Sequence, residues 1–329
     1  MNANSLFGVL CLRADARPET GVGHVMRCLA LAQSWQDRGG RTVFVTATET
    51  PALLNRLQAE GCEVHRLHAA AASLADAAET VAAAGQLDAA WIVIDGYAFT
   101  ATYLRALREE QKQILAIDDL ASLDLSAAQL IVNPNLQATA NMYAHIGDDG
   151  RVLAGNRYAL LRRDFIAGDL QNRQSTAVSA DEDLRVLVTM GGSDPPNATG
   201  RILEILAGVS SRRLQVTVLA GPANTHLERL KTLCNTLRRR HEVELLVDPP
   251  DLGWVVARAD VAISAAGTSC WELASLGVPL AVVAVAENQL AGAEALAKRD
   301  AAVYLGRHDA LDATTVLAQL KALFDQPAL

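Results

Sequence analysis

Two glycines and a histidine, Gly21, Gly23 and His24, stand where an apolar run gives way to a strongly helical pattern. Glycine lets a backbone turn tightly and approach a ligand without an intervening side chain. The start of the following helix carries unpaired N–H groups and a partial positive charge. Because a cation is disfavoured there, His24 is expected to stay neutral at neutral pH and to serve as a general base. The alternative is that His24 only caps the turn and that Arg27 lies on the surface.

The segment SAAGTSCWELASLGVP has the pattern of a strand end, a glycine loop and a helix. Gly267 ends the loop, Thr268 and Ser269 open the helix, and Glu272 lies in its first turns. Hydroxyl and N–H groups that converge at such a helix start form an anion site, where a diphosphate could sit. A carboxylate beside it can accept two hydrogen bonds from a vicinal diol such as a ribose. The alternative is a capped helix whose Glu272 simply lies near the positive end.

Two further strand ends carry glycine or amide residues. Gly191 and Gly192 follow an apolar run, and Asn197 starts a helix, which predicts either an ordinary strand–helix turn or another loop on the phosphate side. Asn288 and Gln289 follow a buried strand in the run AENQ. Amides in that place can bind sugar hydroxyls or orient a water molecule.

Acidic and histidine residues give no pattern of metal ligands. Asp118 and Asp119 follow an apolar run, where they either support a loop or hold Mg²⁺, and support is the favoured role. The other histidines lack metal-ligand spacing, and the chain contains no GxSxG, Walker A or HExxH motif. We therefore expect no metal site and no cofactor.

Composition limits the classes of partner. A chain of 329 residues is too long for one ordinary core, which favours two domains. Its formal net charge of -8 argues against general binding to DNA, RNA or anionic membranes, and its aromatic content of 4% argues against stacking of nucleic-acid bases. We expect no nucleic-acid partner and a monomeric protein.

Cysteine usage and apolar runs indicate a cytoplasmic protein. The five cysteines form no CxxC pair, which is typical of reduced thiols rather than of a disulfide framework or zinc site. The first residues, MNANSLFG, lack the features of a signal peptide, and no apolar run reaches the length of a membrane span. We expect no insertion into a membrane.

Apolar β-type runs alternate with helical patterns along the chain. Their continuous, rather than alternating, hydrophobicity is typical of parallel strands buried on both faces. The runs are GVLCLR, RTVFVTA, CEVHRL, AAWIVIDG, KQILAID, DLRVLVTMGG, LQVTVLAGP, VELLVD, DVAISAAG and PLAVVAV. They predict an α/β fold with two Rossmann-like domains, whose parallel sheets face a central cleft that binds ligands at the strand ends.

The domain boundary is predicted from a polar stretch without periodicity. The first domain covers residues 1–166, the linker residues 167–183 and the second domain residues 184–329. The final amphipathic segment, ALDATTVLAQLKALF, is a candidate helix that crosses back to the first domain.

Seven segments together resemble one family, in the order in which that family has them. They are RADARPETGVGHVMRCLALA, VIDGY, AIDDLA, RYALLRRDF, MGGSDPPNATGRIL, SAAGTSCWELASLGVP and AENQ, and the resemblance runs from about Leu12 to about Leu305. The family is that of the PseG/SpsG-like nucleotide-sugar hydrolases, whose type member is the UDP-2,4-diacetamido-2,4,6-trideoxy-β-L-altropyranose hydrolase of pseudaminic acid biosynthesis. The resemblance implies the GT-B glycosyltransferase fold and a relation to MurG, with water in place of a sugar acceptor.

The resemblance also implies roles for individual residues. His24 matches the proposed catalytic base, Tyr97 an active-site tyrosine and Asn288 an active-site asparagine, while Ser269 and Glu272 match diphosphate-binding and ribose-binding positions. The loop that begins VDPPDL is expected to hold the uracil through its backbone. The expected substrate-binding residues are Arg13, Asp15, Gly21, Gly23, Gly191, Gly192, Gly267, Thr268, Ser269, Glu272 and Gln289.

The implied reaction is cleavage of the anomeric C–O bond of a UDP-sugar with inversion. His24 would deprotonate the attacking water, and helix N–H groups after Gly267 would stabilise the departing UDP without a metal. One position departs from the family, because Gly96 stands where a histidine is common, and this leaves the exact sugar open. The alternatives are a MurG-like glycosyltransferase, the same hydrolysis of a different nucleotide sugar, or a non-catalytic nucleotide-sugar-binding protein.

Overall fold

A computed structural model describes residues 7–17, 21–146, 151–166, 183–249 and 251–325 of the chain. The chain divides into two compact units between Arg163 and Asp164. Apart from Asp183, the predicted linker lies outside the described residues, so the predicted domain boundary stays a prediction.

The N-terminal unit is built on a parallel sheet of seven strands in the order β3-β2-β1-β4-β5-β6-β7. The strands are β1 (Val9–Ala14), β2 (Arg41–Thr46), β3 (Glu63–Arg66), β4 (Ala89–Asp95), β5 (Gln113–Ile117), β6 (Leu130–Asn133) and β7 (Arg151–Ala154). The helices of eight residues or more are α1 (Gly23–Gln36), α2 (Pro51–Ala59), α3 (Leu74–Gln86) and α4 (Ala101–Glu109).

The C-terminal unit has a sheet of six parallel strands in the order β10-β9-β8-β11-β12-β13. The strands are β8 (Leu184–Thr189), β9 (Leu214–Ala220), β10 (Glu242–Val247), β11 (Val261–Ala265), β12 (Leu280–Ala284) and β13 (Val303–Arg307). Among the described residues of this unit, the α-helices are α5 (Ala198–Leu206), α6 (Leu227–Leu237), α7 (Leu252–Ala257), α8 (Ser269–Ser275), α9 (Leu290–Ala297) and α10 (Ala313–Asp325).

All ten predicted strands are present, and three more complete the sheets. Every residue of β11 and β12 is buried, as continuous apolar runs in a parallel sheet require. The additional strands β6, β7 and β13 have four or five residues each. Their pairing with neighbouring strands identifies them, β6 with β5 and β7, and β13 with β12.

Local sequence explains where several helices begin. Ser73 accepts a hydrogen bond from the backbone N–H of Asp76 at the start of α3, and Thr100 does the same for Tyr103 at the start of α4. These are N-caps, which satisfy N–H groups that have no partner inside the helix. Proline at the first position of α2 also favours a helix start, because it has no N–H that would need a partner there.

The final helix belongs to the core of the C-terminal unit. Val316, Leu320 and Leu323 of α10 are buried and pack into the same cluster as strands β8 and β9. Their spacing places them on one face, as the amphipathic pattern predicts. The predicted crossing of this helix to the first domain stays a prediction. In the described ranges, no helix combines the length and the apolar character that a membrane span needs.

Candidate functional site

Each sheet has one place where its strand order reverses. In the N-terminal unit β1 lies between β2 and β4, and in the C-terminal unit β8 lies between β9 and β11. The loops that follow these strands diverge on either side, and open parallel sheets bind ligands in the crevice between them. Most of the predicted site residues lie on loops next to the two reversals.

His24 lies in the first turn of α1, directly after the reversal strand β1. Gly21 makes the preceding turn with φ of +68°, and its N–H donates to the carbonyl of Arg17 at 2.7 Å. His24 is only 7% exposed, and its Nδ1 lies 2.7 Å from Oδ1 of Asp95, the last residue of β4. The reversal thus brings together two residues that are 71 positions apart.

Asp95 determines which nitrogen of His24 faces outward. Burial opposes its ionisation, but Arg27 and His24 outweigh burial and lower the pKa of the carboxyl. An ionised Asp95 can only accept, so Nδ1 carries the proton and Nε2 keeps a lone pair, as a general base requires.

Arg27 lies inside the unit, so the interpretation that placed it on the surface is wrong. It is 5% exposed; its Nε and Nη2 donate to the two oxygens of Asp95 at 2.6 Å, and its Nη1 donates to Asp119 at 2.7 Å. Burial opposes its charge, but Asp119 and Asp95 outweigh burial and raise the pKa of Arg27 well above its usual value. The helix turns Arg27 toward the sheet because it lies three residues after His24.

Tyr97 reaches the same cluster from the loop after β4. Its hydroxyl donates to Oδ2 of Asp119 at 2.6 Å, and its ring meets the His24 ring edge-on with centroids 4.7 Å apart. Burial opposes ionisation of Asp119, but Arg27 and the Tyr97 hydroxyl bond lower the pKa of its carboxyl. His24 and Tyr97, predicted separately, are therefore neighbours.

The backbone of Gly96 has a conformation that histidine, the residue common at this position in the resembling family, would not readily adopt. Its φ is +151°, and a Cβ at this position would lie 3.0 Å from the ring of Phe99. Non-glycine residues rarely take this conformation. The absence of the imidazole is thus accompanied by a loop path that depends on glycine.

The Asp118–Asp119 pair supports loops in the structure. Asp118 accepts from the Tyr143 hydroxyl and from the backbone N–H of Ala121, both at 2.7 Å. Asp119 also accepts from Asn135 Nδ2 at 3.0 Å. Among the described residues, no group of three or more His, Cys, Asp or Glu side chains is arranged to hold a metal ion. Metal-free catalysis stays a prediction.

Arg13 and Asp15 hold the loop after β1 in place. Arg13 has no exposed surface and donates to Asp76 at 2.7–3.3 Å and to Asp15 at 2.6 and 2.8 Å. Asp15 accepts from the backbone N–H of Ala47 at 2.7 Å. The structure therefore gives the buried Arg13 a supporting role in place of the predicted contact with the substrate.

The glycine loop after β8 is only partly what the sequence predicts. Gly191 has φ of +86°, and a side chain at Gly221, after β9, would collide with the backbone of Gly192. The α5 helix start is already occupied, because the Asp194 carboxylate accepts from the N–H groups of Ala198 and Thr199 at 2.8 and 2.9 Å. The helix begins directly after Asn197, as predicted, but the carboxylate of Asp194 and not the Asn197 side chain binds its free N–H groups, so a phosphate would meet a carboxylate there.

Helix α8 follows β11, the strand next to β8 at the reversal. Thr268 is the N-cap and Ser269 the first helical residue, while the N–H of Cys270 donates to the carbonyl of Gly267 at 3.0 Å. Glu272 lies in the first turn and is 7% exposed. The helix start therefore combines two hydroxyls, backbone N–H groups and a carboxylate, as the sequence predicts.

Gln289 connects the two predicted segments of the C-terminal unit. Its Oε1 accepts from the N–H of Val285 at 3.0 Å, and its Nε2 lies 3.3 Å from the place of a Cβ on Gly267. Neighbouring strands β11 and β12 make this contact possible. Gln289 thus fixes the AENQ segment beside the glycine loop, and Asn288 is exposed next to it.

Sequence reasoning missed Arg27, Asp95 and Asp119 as members of the N-terminal cluster. A usable signal was present, because Asp95 ends β4 and Asp119 follows β5, the two strands beyond β1 in the sheet. Carboxylates after adjacent parallel strands lie at the same sheet edge, but the strand order has to be known first.

Part of the chain matches a glycosyltransferase domain model, and two curated proteins are distantly similar to most of it. Residues 186–328 match the glycosyltransferase family 28 C-terminal domain. The spore coat polysaccharide biosynthesis protein SpsG of Bacillus subtilis is 23% identical over 94% of this chain and 87% of its own length. An uncharacterized protein of Methanocaldococcus jannaschii is 20% identical over 85% of this chain, which spans 56% of that relative.

Solved structures show the same fold. MurG of Acinetobacter baumannii has a TM-score of 0.62 at 17% identity, covering 96% of this chain and 90% of MurG. The UDP-GlcNAc 2-epimerase of Neisseria meningitidis, bound to UDP-GlcNAc, has a TM-score of 0.60 at 13% identity, covering 98% and 92%. The chain therefore has the predicted GT-B fold.

Proposed function

We propose that this protein is a UDP-sugar hydrolase that transfers the sugar to water at its anomeric carbon. The observation that carries the proposal is the buried His24–Asp95 pair, which leaves Nε2 as the acceptor. The proposed substrate is a UDP-linked diacetamido-trideoxy sugar, as in pseudaminic acid biosynthesis. This choice rests on the sequence resemblance, and the relationship to SpsG is in keeping with it.

In the proposed step, Nε2 of His24 removes a proton from the attacking water. Asp95 holds the tautomer and stabilises the imidazolium that forms. Asp95 and Asp119 carry two negative charges against the single charge of Arg27, so a proton arriving on His24 neutralises the cluster. Base catalysis of this kind is worth about 10²–10⁴-fold in rate.

The proposed leaving group is UDP, bound at the start of α8. Thr268, Ser269 and the helix N–H groups would stabilise the charge that develops on the diphosphate, and Glu272 would accept from the ribose hydroxyls. The family 28 domain match covers this region. The MurG relative and the epimerase bound to UDP-GlcNAc share the fold, which supports a UDP-sugar as ligand.

The proposed sugar contacts are Tyr97 and Asn288. Because the Tyr97 hydroxyl donates to Asp119, it can offer a ligand its oxygen lone pairs. This suits an acetamido N–H or a sugar hydroxyl. Gly96 has no side chain where the family commonly has an imidazole, so one of the family's sugar contacts is missing and the identity of the sugar stays open.

The deciding experiment supplies candidate UDP-sugars and ¹⁸O-labelled water without any acceptor. UDP release with label in the free sugar is expected, since water attacks carbon. Label in UDP would mean attack on phosphorus and would contradict the proposal. The reaction is expected to survive EDTA, and His24→Asn serves as the inactive control.

A glycosyltransferase is the second candidate, and the match to the glycosyltransferase family 28 C-terminal domain favours it. The UDP site would be the same, and an acceptor hydroxyl would replace water over His24. Absence of UDP release until an acceptor is added would establish this alternative. Binding of every UDP-sugar without turnover would instead indicate a non-catalytic binding protein.

A further inference from the structure

The guanidinium of Arg27 connects the two carboxylates that hold His24 and Tyr97. Its Nε and Nη2 donate to the two oxygens of Asp95, and its Nη1 donates to Oδ1 of Asp119. Besides Arg27, Asp95 accepts from His24 Nδ1 and the Cys28 thiol, and Asp119 accepts from Tyr97 Oη and Asn135 Nδ2.

The proton arrangement of this cluster follows from its charges. Nδ1 of His24 lies 2.7 Å from Asp95 and 3.3 Å from Nη2 of Arg27. An unprotonated Nδ1 would place its lone pair against an ionised carboxylate, so the shorter contact is the hydrogen bond and Nδ1 is the donor. By the same logic the Tyr97 hydroxyl is the donor to Asp119.

We propose that Arg27 is a positioning residue that, through Asp95 and Asp119, makes His24 and Tyr97 hydrogen-bond acceptors toward the ligand. The protons on Nδ1 and Oη are directed at the carboxylates, so His24 presents the Nε2 lone pair and the Tyr97 oxygen can act toward a ligand only as an acceptor. The group recognised there is therefore a donor, such as water, a hydroxyl or an amide N–H, and not an anion. The reacting group named here rests on the proposed function.

Lysine cannot replace arginine in this arrangement. The guanidinium is a rigid planar fork, which fixes the angle and separation of two carboxylates at once, whereas an ammonium is a single point on a flexible stem. Arg27→Lys keeps the positive charge between Asp95 and Asp119 and removes this fork. It therefore separates geometry from charge.

The test compares Arg27→Lys with Arg185→Lys as a matched control. Arg185 makes a similar two-pronged contact with Asp260, at 3.0 and 2.5 Å, and lies outside the proposed site. Histidine ¹⁵N NMR, with His24 assigned from His24→Asn, reports the tautomer without any need for turnover. In the wild type we expect protonated Nδ1 and unprotonated Nε2, and in folded Arg27→Lys a loss of this single tautomer.

Kinetics supply the second measurement. Misplacing a catalytic group by about 1 Å can cost about 10²-fold in rate, so kcat of Arg27→Lys should fall by at least about tenfold while KM changes much less. Arg185→Lys should change neither. An unaltered His24 tautomer together with unaltered kcat in folded Arg27→Lys would overturn the proposal, as would an equal loss in both arginine variants.

A second variant keeps the test decisive if Arg27→Lys does not fold. Asp119→Asn leaves Arg27 bound to Asp95. It weakens the hydrogen bonds that residue 119 accepts from Arg27 and from the Tyr97 hydroxyl. We expect the His24 tautomer to persist and kcat to fall several-fold, and unchanged kcat would overturn the role of the Asp119 connection. A wild type with the expected tautomer but no UDP release would contradict the proposed hydrolysis alone.

Discussion

The imidazole of His24 is oriented by its hydrogen bond to Asp95, with Nε2 as the proposed base. Replacing His24 therefore removes the proposed base. Asparagine at position 24 can still fill the space but cannot take a proton from water. We expect His24→Asn to retain UDP binding and to lose at least about 10²-fold in kcat, the amount that base catalysis supplies. Steady-state kinetics and UDP titration check both halves.

A positioning role for His24 would give a different result, with a higher KM and nearly normal kcat. The pH profile offers a control within the same experiment. The wild type should lose activity at acidic pH as the base becomes protonated, and the variant should lack that limb. A variant with wild-type turnover would contradict the proposed base.

Gly96 allows a prediction that runs against the family pattern. Gly96→His restores the common residue but forces a side chain onto a φ of +151° and against Phe99. Strain of this type costs about 1–3 kcal/mol, so the free energy of unfolding should fall by that order. Denaturant unfolding measures it, and Gly96→Ala should show most of the same loss because Cβ causes the strain. Equal stability of all three proteins would show that this loop does not depend on glycine.

At the scale of elements, the start of helix α8 is the proposed nucleotide site. Glu272 lies in its first turn, beside the N-cap Thr268. We expect UDP to raise the thermal unfolding temperature of the wild type, since a ligand that binds the folded state stabilises it, and we expect this shift to shrink in Glu272→Ala. Glu228→Ala is the control, because Glu228 is an exposed carboxylate at the start of α6. A full UDP shift in Glu272→Ala would remove Glu272 from the ribose.

The two helix starts of the C-terminal unit differ in what they can bind. The α5 start is filled by Asp194, while α8 has hydroxyl side chains in the corresponding place. Both follow strands that flank the same reversal. The contrast explains why the proposal places the diphosphate at α8, since a carboxylate would repel it at α5.

For the whole molecule, the buried ion pairs predict how stability depends on pH. Burial raises the pKa of Asp95 and of Asp119, their shared partner Arg27 lowers it, and the net change is a decrease for both. A carboxyl whose folded pKa is lowered stabilises the protein above its unfolded pKa, about 3.9, and this contribution is lost as pH falls toward the folded pKa. The free energy of unfolding should therefore decline as pH falls below about 4.

The variant Asp119→Asn identifies the source of this decline among the many carboxylates of the chain. It should make the acid-side slope shallower than in the wild type, and denaturant unfolding between pH 7 and pH 3 measures both. Asp309→Asn, at an exposed ion pair, is the control and should leave the slope nearly unchanged. Identical slopes for wild type and Asp119→Asn would contradict the prediction.

The sequence by itself determined the features that local chemistry specifies. Continuous apolar runs predicted ten of the strands, the residues around Gly21 and His24 predicted a strand–helix junction, and hydroxyl residues marked the start of α8. In each case the deciding residues are neighbours along the chain, so burial, turn geometry or capping can be read from a short window.

Only the tertiary structure decided the partners of those features. Arg27 meets carboxylates 68 and 92 positions away, and the short strand β6 is recognisable by its pairing with β5 and β7. The carboxylate of Asp194, three residues before the N-cap residue Asn197, binds the free N–H groups at the start of α5. The physical reason is that a charge or a short strand is stabilised by whatever the strand order places beside it, and that order is set by the packing of the whole sheet.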